Sequence, residues 1–361
     1  MGHRLRICHV SVLNPARHTR IWHKQALPAA AAGHRVTVLA ATTPATIVRQ
    51  NGILIWGHRK PGLRNWGQRI ALHLVLLVRL LRLQPQVLHV HTPELLHLAA
   101  LLKLCLRCKV IYDRHEDYPA NLARGKAYSG AYWPLLARLT WVWEHVALAW
   151  IDYVTYAEAS YAGSLPAPAT VLDNKALPHP FPHNRPGLPP IRLLVTGTLA
   201  SDWGIDAALA FYQHLSQQTP CTLTFAGHAP RKAVADQIHH WAAQDANITL
   251  LGIDAYVPHG QLLRLMSTHH LGLALYTCTP TIAAKVPTCF YEYMAAGLPF
   301  VFSDNPAWEA LNANTHMGIA LHSAKDSPYI LQFLSAYIAP ESAHWQYEGH
   351  SLLAIYDFLT K

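Results

Sequence analysis

Three stretches of this chain end apolar runs on side chains able to do chemistry. Lys109-Val-Ile-Tyr-Asp-Arg-His-Glu-Asp-Tyr-Pro119 starts as a buried strand and closes on His115, Glu116 and Asp117. A strand that merely stops would use Gly, Asn or Pro, so a polar cluster at a carboxyl end is costly unless it meets water or a ligand. His89-x-His91-Thr-Pro-Glu94 ends a second run in the same way. Two strand ends bringing imidazole and carboxylate to one rim favour a functional edge over a solvated loop. Spacing leaves open which histidine acts. In the third stretch, Lys285 to Pro299, Pro287 opens a helix, Glu292 lies about a turn inside it, and Gly297 with Pro299 closes it and starts the strand Phe300–Ser303. Glu292 is flanked by Phe290, Tyr291, Tyr293 and Met294. If it faces inward it is desolvated and needs a hydroxyl or amide partner, such as a ribose diol. The competing reading is an exposed carboxylate on a core helix.

The elements that must position these residues alternate from start to finish. Strands are predicted at Leu5–Leu13, Arg35–Ala41, Val87–His91, Lys109–His115, Tyr153–Ala157 and Thr170–Asp173, with helices at Arg20–Ala32, Arg64–Leu83, Pro93–Leu106 and Trp133–Trp150. Nearly continuous apolar strands separated by helices predict a parallel sheet covered on both faces. The proline-rich stretch 178–190 reads as an extended linker. Beyond it the alternation restarts, with strands at Ile191–Thr196, Thr222–Ala226, Ile248–Leu251, Leu271–Tyr276, Pro299–Ser303 and Gly318–Leu321. The expected organisation is therefore two doubly wound α/β domains, 1–177 and 191–343, with ligands in a cleft at the carboxyl ends of their strands. A last helical segment within 344–361 could pack back on the first domain.

Composition narrows the class. The 361 residues are 51% hydrophobic and 14% charged, with 6 Cys and 25 His, which excludes a disordered chain or a small disulfide scaffold. No apolar run reaches the roughly 18 to 20 residues needed to span a bilayer, because Ile70–Leu83 is interrupted by His73, Arg79 and Arg82. The start shows no small-residue cleavage site, and the scattered cysteines suit reduced thiols, so a cytoplasmic protein is expected. Cys105-x2-Cys108 has zinc-ligand spacing but no second pair follows it. Residues 1–150 hold 20 Lys or Arg against 5 Asp or Glu, whereas the remainder holds 9 against 15. The basic half should face something anionic. Arg59, Lys60, Arg64, Arg69, Arg79 and Arg82 lie near Trp56, Trp66 and an apolar helix, a composition suited to peripheral association with the inner face of an anionic membrane. The competing reading is a buried helix with a solvated basic edge. The arginines interleave with long apolar helices and match no nucleic-acid motif, so no nucleic-acid partner is expected.

These residues also carry a family resemblance. Thr288 to Asp304 resembles the signature of family-4-type retaining glycosyltransferases of the GT-B fold, and Tyr112-Asp-Arg-His-Glu-Asp-Tyr-Pro119 resembles the strand-end motif of their first domain. Arg20-Ile-Trp-His-Lys24 with Gly33-His34, His91-Thr-Pro-Glu-Leu-Leu96, and Thr196-Gly-Thr-Leu199 with Gly204 resemble further landmarks in the family's order. The resemblance implies two Rossmann-like domains facing across a cleft. It implies hexosyl transfer from a nucleotide diphosphate sugar to a saccharide, lipid-linked or small-molecule acceptor, with retained anomeric configuration and neither metal nor cofactor. The second domain would bind the donor, through Glu292 on the ribose and Gly197, Thr198, Lys285 and Thr288 around it. His115 would be the catalytic residue, and the first domain would meet the acceptor through Arg20, His91, Glu116 and Asp117.

The chain also departs from the pattern. Ala284 stands where the family has a second Glu. Thr198, Trp203 and Cys289 fall where it has basic residues, and Leu13-Asn-Pro-Ala-Arg-His18 replaces a glycine-rich loop. A leaving diphosphate needs compensating charge or aimed N–H groups, for which Lys285, Arg231 and Lys232 are candidates. Two functions stay open: a transferase with atypical donor recognition, or a non-catalytic glycosyltransferase-like binding or partner subunit.

Overall fold

The structure is a computed structural model, and it describes residues 4–62, 65–124, 133–182, 184–283, 285–316, 318–321 and 344–360. The chain divides into two units, one formed by residues 1–174 with 347–361 and the other by 175–346.

The first unit holds an eight-stranded sheet. Its strands are β1 (Arg6–Pro15), β2 (Arg35–Ala41), β3 (Ile47–Gln50), β4 (Ile53–Trp56), β5 (Val87–Val90), β6 (Lys109–Arg114), β7 (Tyr153–Tyr156) and β8 (Ala169–Val171). Their spatial order is β3-β4-β2-β1-β5-β6-β7-β8. The chain runs outward from β1 on one side and resumes at β5 on the other, so the order reverses between β1 and β5, where open α/β sheets bind ligands. All pairings are parallel except β3–β4, an antiparallel hairpin. The strand predictions do not include this hairpin, although its turn is a strong local signal. Asn51 and Gly52 both take positive φ, 50° and 77°, as a two-residue hairpin turn demands.

Helices α1 (Leu27–Ala31), α2 (Trp66–Leu83), α3 (Leu96–Leu106), α4 (Tyr118–Arg124) and α5 (Trp133–Ala147) flank the sheet. The helix expected at Arg20–Ala32 opens as a π-helical turn, Arg20–Ala26, before α1. The wider turn brings positions i, i+4 and i+5 onto one face. Those positions are Arg20, Lys24 and Gln25, all buried. Helix α4 also goes beyond the predictions. Asp117 Oδ1 accepts from the Ala120 N–H at 3.2 Å, so this residue caps a helix whose first turn contains Pro119.

The second unit holds six parallel strands in the order β11-β10-β9-β12-β13-β14. These are β9 (Ile191–Thr198), β10 (Cys221–His228), β11 (Ile248–Ile253), β12 (Leu271–Ala274), β13 (Phe300–Ser303) and β14 (Ile319–Leu321). The order again reverses beside the first strand, between β9 and β12. Helices α6 (Ile205–Ser216), α7 (Lys232–Gln244), α8 (His259–Met266), α9 (Pro280–Ala283), α10 (Thr288–Ala295) and α11 (Pro306–Thr315) complete it. The proline-rich stretch is not a free linker. Arg185 donates to the carbonyls of His269 at 2.9 Å and Gly297 at 2.6 Å, and the Asn184 N–H donates to Ser267 O at 2.9 Å. Cys8, Cys108, Cys221 and Cys289 are buried thiols, whereas Cys105 and Cys278 are exposed.

The closing helix α12 (Trp345–Thr360) places Leu352, Ile355 and Tyr356 in buried positions of the first unit. Its Tyr356 hydroxyl lies 3.1 Å from Nδ1 of the buried His89. Tyr356→Phe removes that bond and leaves a buried imidazole nitrogen short of a partner. We expect a loss of about 1–3 kcal/mol, read as a lower urea midpoint with an unchanged slope.

Candidate active site

At the carboxyl edge of the first sheet the polar groups converge on one carboxylate. Asp113 is fully buried on β6, and Arg20 reaches it from the π-helical turn with Nη2 2.7 Å from Oδ1 and Nε 2.9 Å from Oδ2. Thr155 Oγ1 donates to Oδ1 at 2.7 Å, and Gln25 Nε2 donates to Oδ2 at 2.8 Å. Burial alone would push the Asp113 carboxyl up. The Arg20 guanidinium and the imidazoles of His115 and His91 outweigh it and hold the group well below the usual carboxylate range.

This anion orients two rings. His115 Nε2 lies 2.7 Å from Oδ2 and His91 Nδ1 lies 3.2 Å from the same oxygen. A carboxylate only accepts, so the arrangement that satisfies Oδ2 puts a proton on each of these nitrogens, which also lie 3.0 Å from one another. His115 therefore presents Nδ1 as its acceptor, from a side chain 9% exposed at the rim. His18 stacks on it at 5.6 Å between centroids, and burial pulls the His18 imidazole down to about 3.

Of the expected acceptor residues, Arg20 and His91 are buried, Arg20 turning Nε and Nη2 and His91 turning Nδ1 to Asp113. Glu116 is exposed and accepts from Asn121 Nδ2 at 2.7 Å. Asp117 caps α4 and also accepts from Arg114 Nη2 at 3.1 Å. Arg114 in turn meets the buried Glu144 of α5, to which Tyr112 donates its hydroxyl at 2.7 Å.

The second unit clears its rim instead of crowding it. Gly197, Gly227 and Gly252 pair in register across β9, β10 and β11. A Cβ at Gly227 would sit 1.8 Å from the Gly197 carbonyl oxygen, so the strands can approach this closely only without a side chain there. Gly197 and Thr198 are exposed at the end of β9. Glu292 lies on α10 among the buried Cys289, Phe290, Tyr291, Tyr293 and Met294, and its own side chain is 18% exposed. Its Oε1 lies 2.9 Å from Nε2 of His259, at the start of α8.

Thr288 is exposed at the first turn of α10, and the Lys285 carbonyl accepts from Trp308 Nε1 at 2.7 Å. Arg231 and Lys232 are exposed where β10 gives way to α7. Cys289 is packed 3.3 Å from the Tyr276 hydroxyl, and burial pushes its thiol up to about 12. Ala284 lies outside the described residues. The sequence reading missed Asp113, His9, His18 and His259. Asp113 sits inside the strand motif that was singled out, whereas the others depend on spatial neighbours.

Acid should destabilise the first unit before it touches the carboxylates. Burial holds His9 and His89 well below the ordinary imidazole value near 6.5 and His91 at about 4. Between those limits the unfolded chain binds more protons than the folded one, so stability falls as pH falls. Calorimetric melting between pH 7 and pH 4 should show that decline, and His91→Gln should make it shallower.

Comparison with known proteins agrees with this architecture. Residues 23–165 match the model of Glycosyltransferase Family 4. A search of curated proteins returns no match. Among solved structures, sucrose-phosphate synthase from Thermosynechococcus elongatus superposes with a TM-score of 0.73 at 13% identity, covering 99% of each chain. A glycosyltransferase from Rickettsia africae gives 0.69 at 12%, covering 100% of each chain. HepE of Anabaena, in complex with UDP and glucose, gives 0.64 at 13%, covering 98% of this chain and 99% of its own. At these identities the likeness is one of fold. The chain therefore has the GT-B fold of two Rossmann-like units, with residues 23–165 similar to Glycosyltransferase Family 4.

Proposed function

We propose that this protein transfers a hexosyl group from a nucleoside diphosphate sugar to an acceptor, with retention of configuration and no metal in the transfer step. The observation that carries the reading is the oriented imidazole of His115, its Nε2 fixed 2.7 Å from a carboxylate that Arg20 clamps. An imidazole held in one tautomer at a strand end can accept a hydrogen bond from a donor-sugar hydroxyl without reorganising. Arg20 and His91 then act as positioning residues, and the exposed Glu116 is the first unit's candidate for acceptor contact. In the second unit the bared backbone at Gly197 and Thr198 suits a diphosphate, and Glu292 suits a ribose diol, with His259 holding the carboxylate until the nucleotide arrives. UDP is the nucleotide to test first, because HepE is known in complex with it.

Calorimetric titration with UDP should give binding that weakens about tenfold or more in Glu292→Gln, the cost of charge-assisted hydrogen bonds worth roughly 1.5–3 kcal/mol each. UDP release from UDP-glucose should fall about a hundredfold in His115→Ala with little change in melting temperature. If the wild type binds no nucleotide at millimolar concentration, the non-catalytic scaffold replaces this reading.

The first unit also supports docking on an anionic bilayer inside the cell. Helix α2 exposes Ile70, Leu74, Val78 and Leu81, and α5 exposes Leu135, Leu139, Val142 and Val146 at the same helical spacing. Arg82 and Arg138 are exposed on the same helices, α2 contains no acidic residue, and the one in α5, Glu144, is buried. Trp56 and Arg79 serve each other, the guanidinium lying 4.7 Å over the ring. Arg69 pairs with Glu94, while Arg64 and the Trp66 side chain lie outside the described residues. Among the described residues no helix is long and apolar enough to cross a membrane, so association would be peripheral. Co-sedimentation should favour vesicles with anionic lipid over neutral ones, and Leu74→Glu with Leu139→Glu should abolish it. Equal, negligible pelleting with both vesicles would refute membrane docking.

A further inference from the structure

In the interior of the first unit His91 meets two further imidazoles, His9 and His89, to which the transfer reading assigns no role. His9 on β1 and His89 on β5 are register partners of adjacent parallel strands, so their side chains leave the same face of the sheet. His91 lies two residues on, and its side chain joins theirs. All three are fully buried. Their ring centroids lie 4.7 to 5.3 Å apart.

The proton inventory of this cluster does not close. Asp113 takes the Nδ1–H of His91, so His91 Nε2 is a bare lone pair, 3.1 Å from His9 Nδ1. If His9 donates there, the His91 lone pair is met and the unmet one passes to His9 Nε2. Among the described residues His9 Nε2 has no hydrogen-bond partner, and neither has His89 Nε2, whose ring is held through Nδ1 by Tyr356. Orphaned buried nitrogens cost roughly 1–3 kcal/mol each, so two in one cluster ask for a ligand.

We propose that His9, His89 and His91 bind a single divalent transition-metal ion of the zinc class, as a structural clamp between β1 and β5. One ligand nitrogen from each can be chosen so that all three lie within 4.8 Å of one another. Metal–nitrogen bonds of about 2.0–2.1 Å set tetrahedral edges of about 3.3 Å, a separation the pair His9 Nδ1 and His91 Nε2 already has at 3.1 Å; with His9 bound through Nδ1, the orphan that the ion satisfies is His89 Nε2. The outer partners are those of a metal site. Asp113 fixes the His91 tautomer and supplies negative charge, and Tyr356 orients His89. The proposal shares His91 and Asp113 with the transfer reading, and its test reads zinc binding directly, apart from any transfer activity.

The test uses the full chain without a histidine tag, stripped by chelator and titrated with zinc sulfate against a chromophoric competitor. One zinc per chain should bind, with a rise in melting temperature. His9→Gln and His89→Gln should each weaken it at least about tenfold, whereas His239→Gln, at an exposed histidine paired with Asp254, should not. If the first two variants fail to fold, zinc-edge X-ray absorption of the wild type decides, with three imidazole nitrogens expected at about 2.0 Å. No binding at micromolar zinc, unchanged affinity in folded His9→Gln and His89→Gln, or a ligand set other than three imidazoles would overturn the site.

Discussion

A buried ion pair between positions 20 and 113 organises the first unit. The side chains of Arg20 and Asp113 are 2% and 0% exposed, and removing either partner would strand a charge in the interior, at a cost of about 3–5 kcal/mol. That penalty ties the π-helical turn after β1 to β6. Thr155 extends the tie to β7, and a third Arg20 bond, Nη1 to Leu172 O at 2.8 Å, extends it to the segment after β8. Because the anion only accepts, it also decides which imidazole nitrogens carry protons at His91 and His115. Packing, electrostatics and the polarity of the rim thus share one cause.

The second unit meets a different constraint by removing side chains. Its glycine rung across β9, β10 and β11 lets three strand ends close up and leaves backbone groups at the edge. Exposed strand-end amides suit an anionic ligand that needs aimed N–H groups. Three positions that the family resemblance would make basic carry no charge here: Thr198 is a hydroxyl, Trp203 is aromatic and Cys289 is buried against Tyr276. Arg231 and Lys232 stand instead at the junction after β10. On the proposed function, donor recognition would lean on backbone and ribose contacts more than on charge, with Glu292 2.9 Å from His259 as the ribose candidate.

The same polar chemistry has an opposite meaning in the two places. At Glu292 a carboxylate with partial access to solvent is satisfied by one imidazole that a ligand can replace. At His9 and His89 the orphaned nitrogens are sealed from solvent, where no substrate hydroxyl can reach them. Burial separates a site that exchanges ligands from one suited to holding an ion.

The alternation of strands and helices was legible in the sequence, because hydrophobic periodicity and local breakers act over a few residues. Arg35–Ala41 was predicted to the residue, Pro299–Ser303 to within one, and the other predicted strands to within two. The β3–β4 hairpin and α4 were legible too, in Asn51-Gly52 and in Asp117 with Pro119, but Ile47–Gln50 is short and mostly exposed and so lacks the apolar run that marks a strand. Tertiary structure alone decided the site's wiring. Asp113 draws its partners from positions 20, 25, 91, 115 and 155, and nothing in the spacing of these residues announces their meeting. They meet because the sheet order sets β1 beside β5 and β5 beside β6, and hydrogen bonds between strands obey that order in space, not the order of the chain.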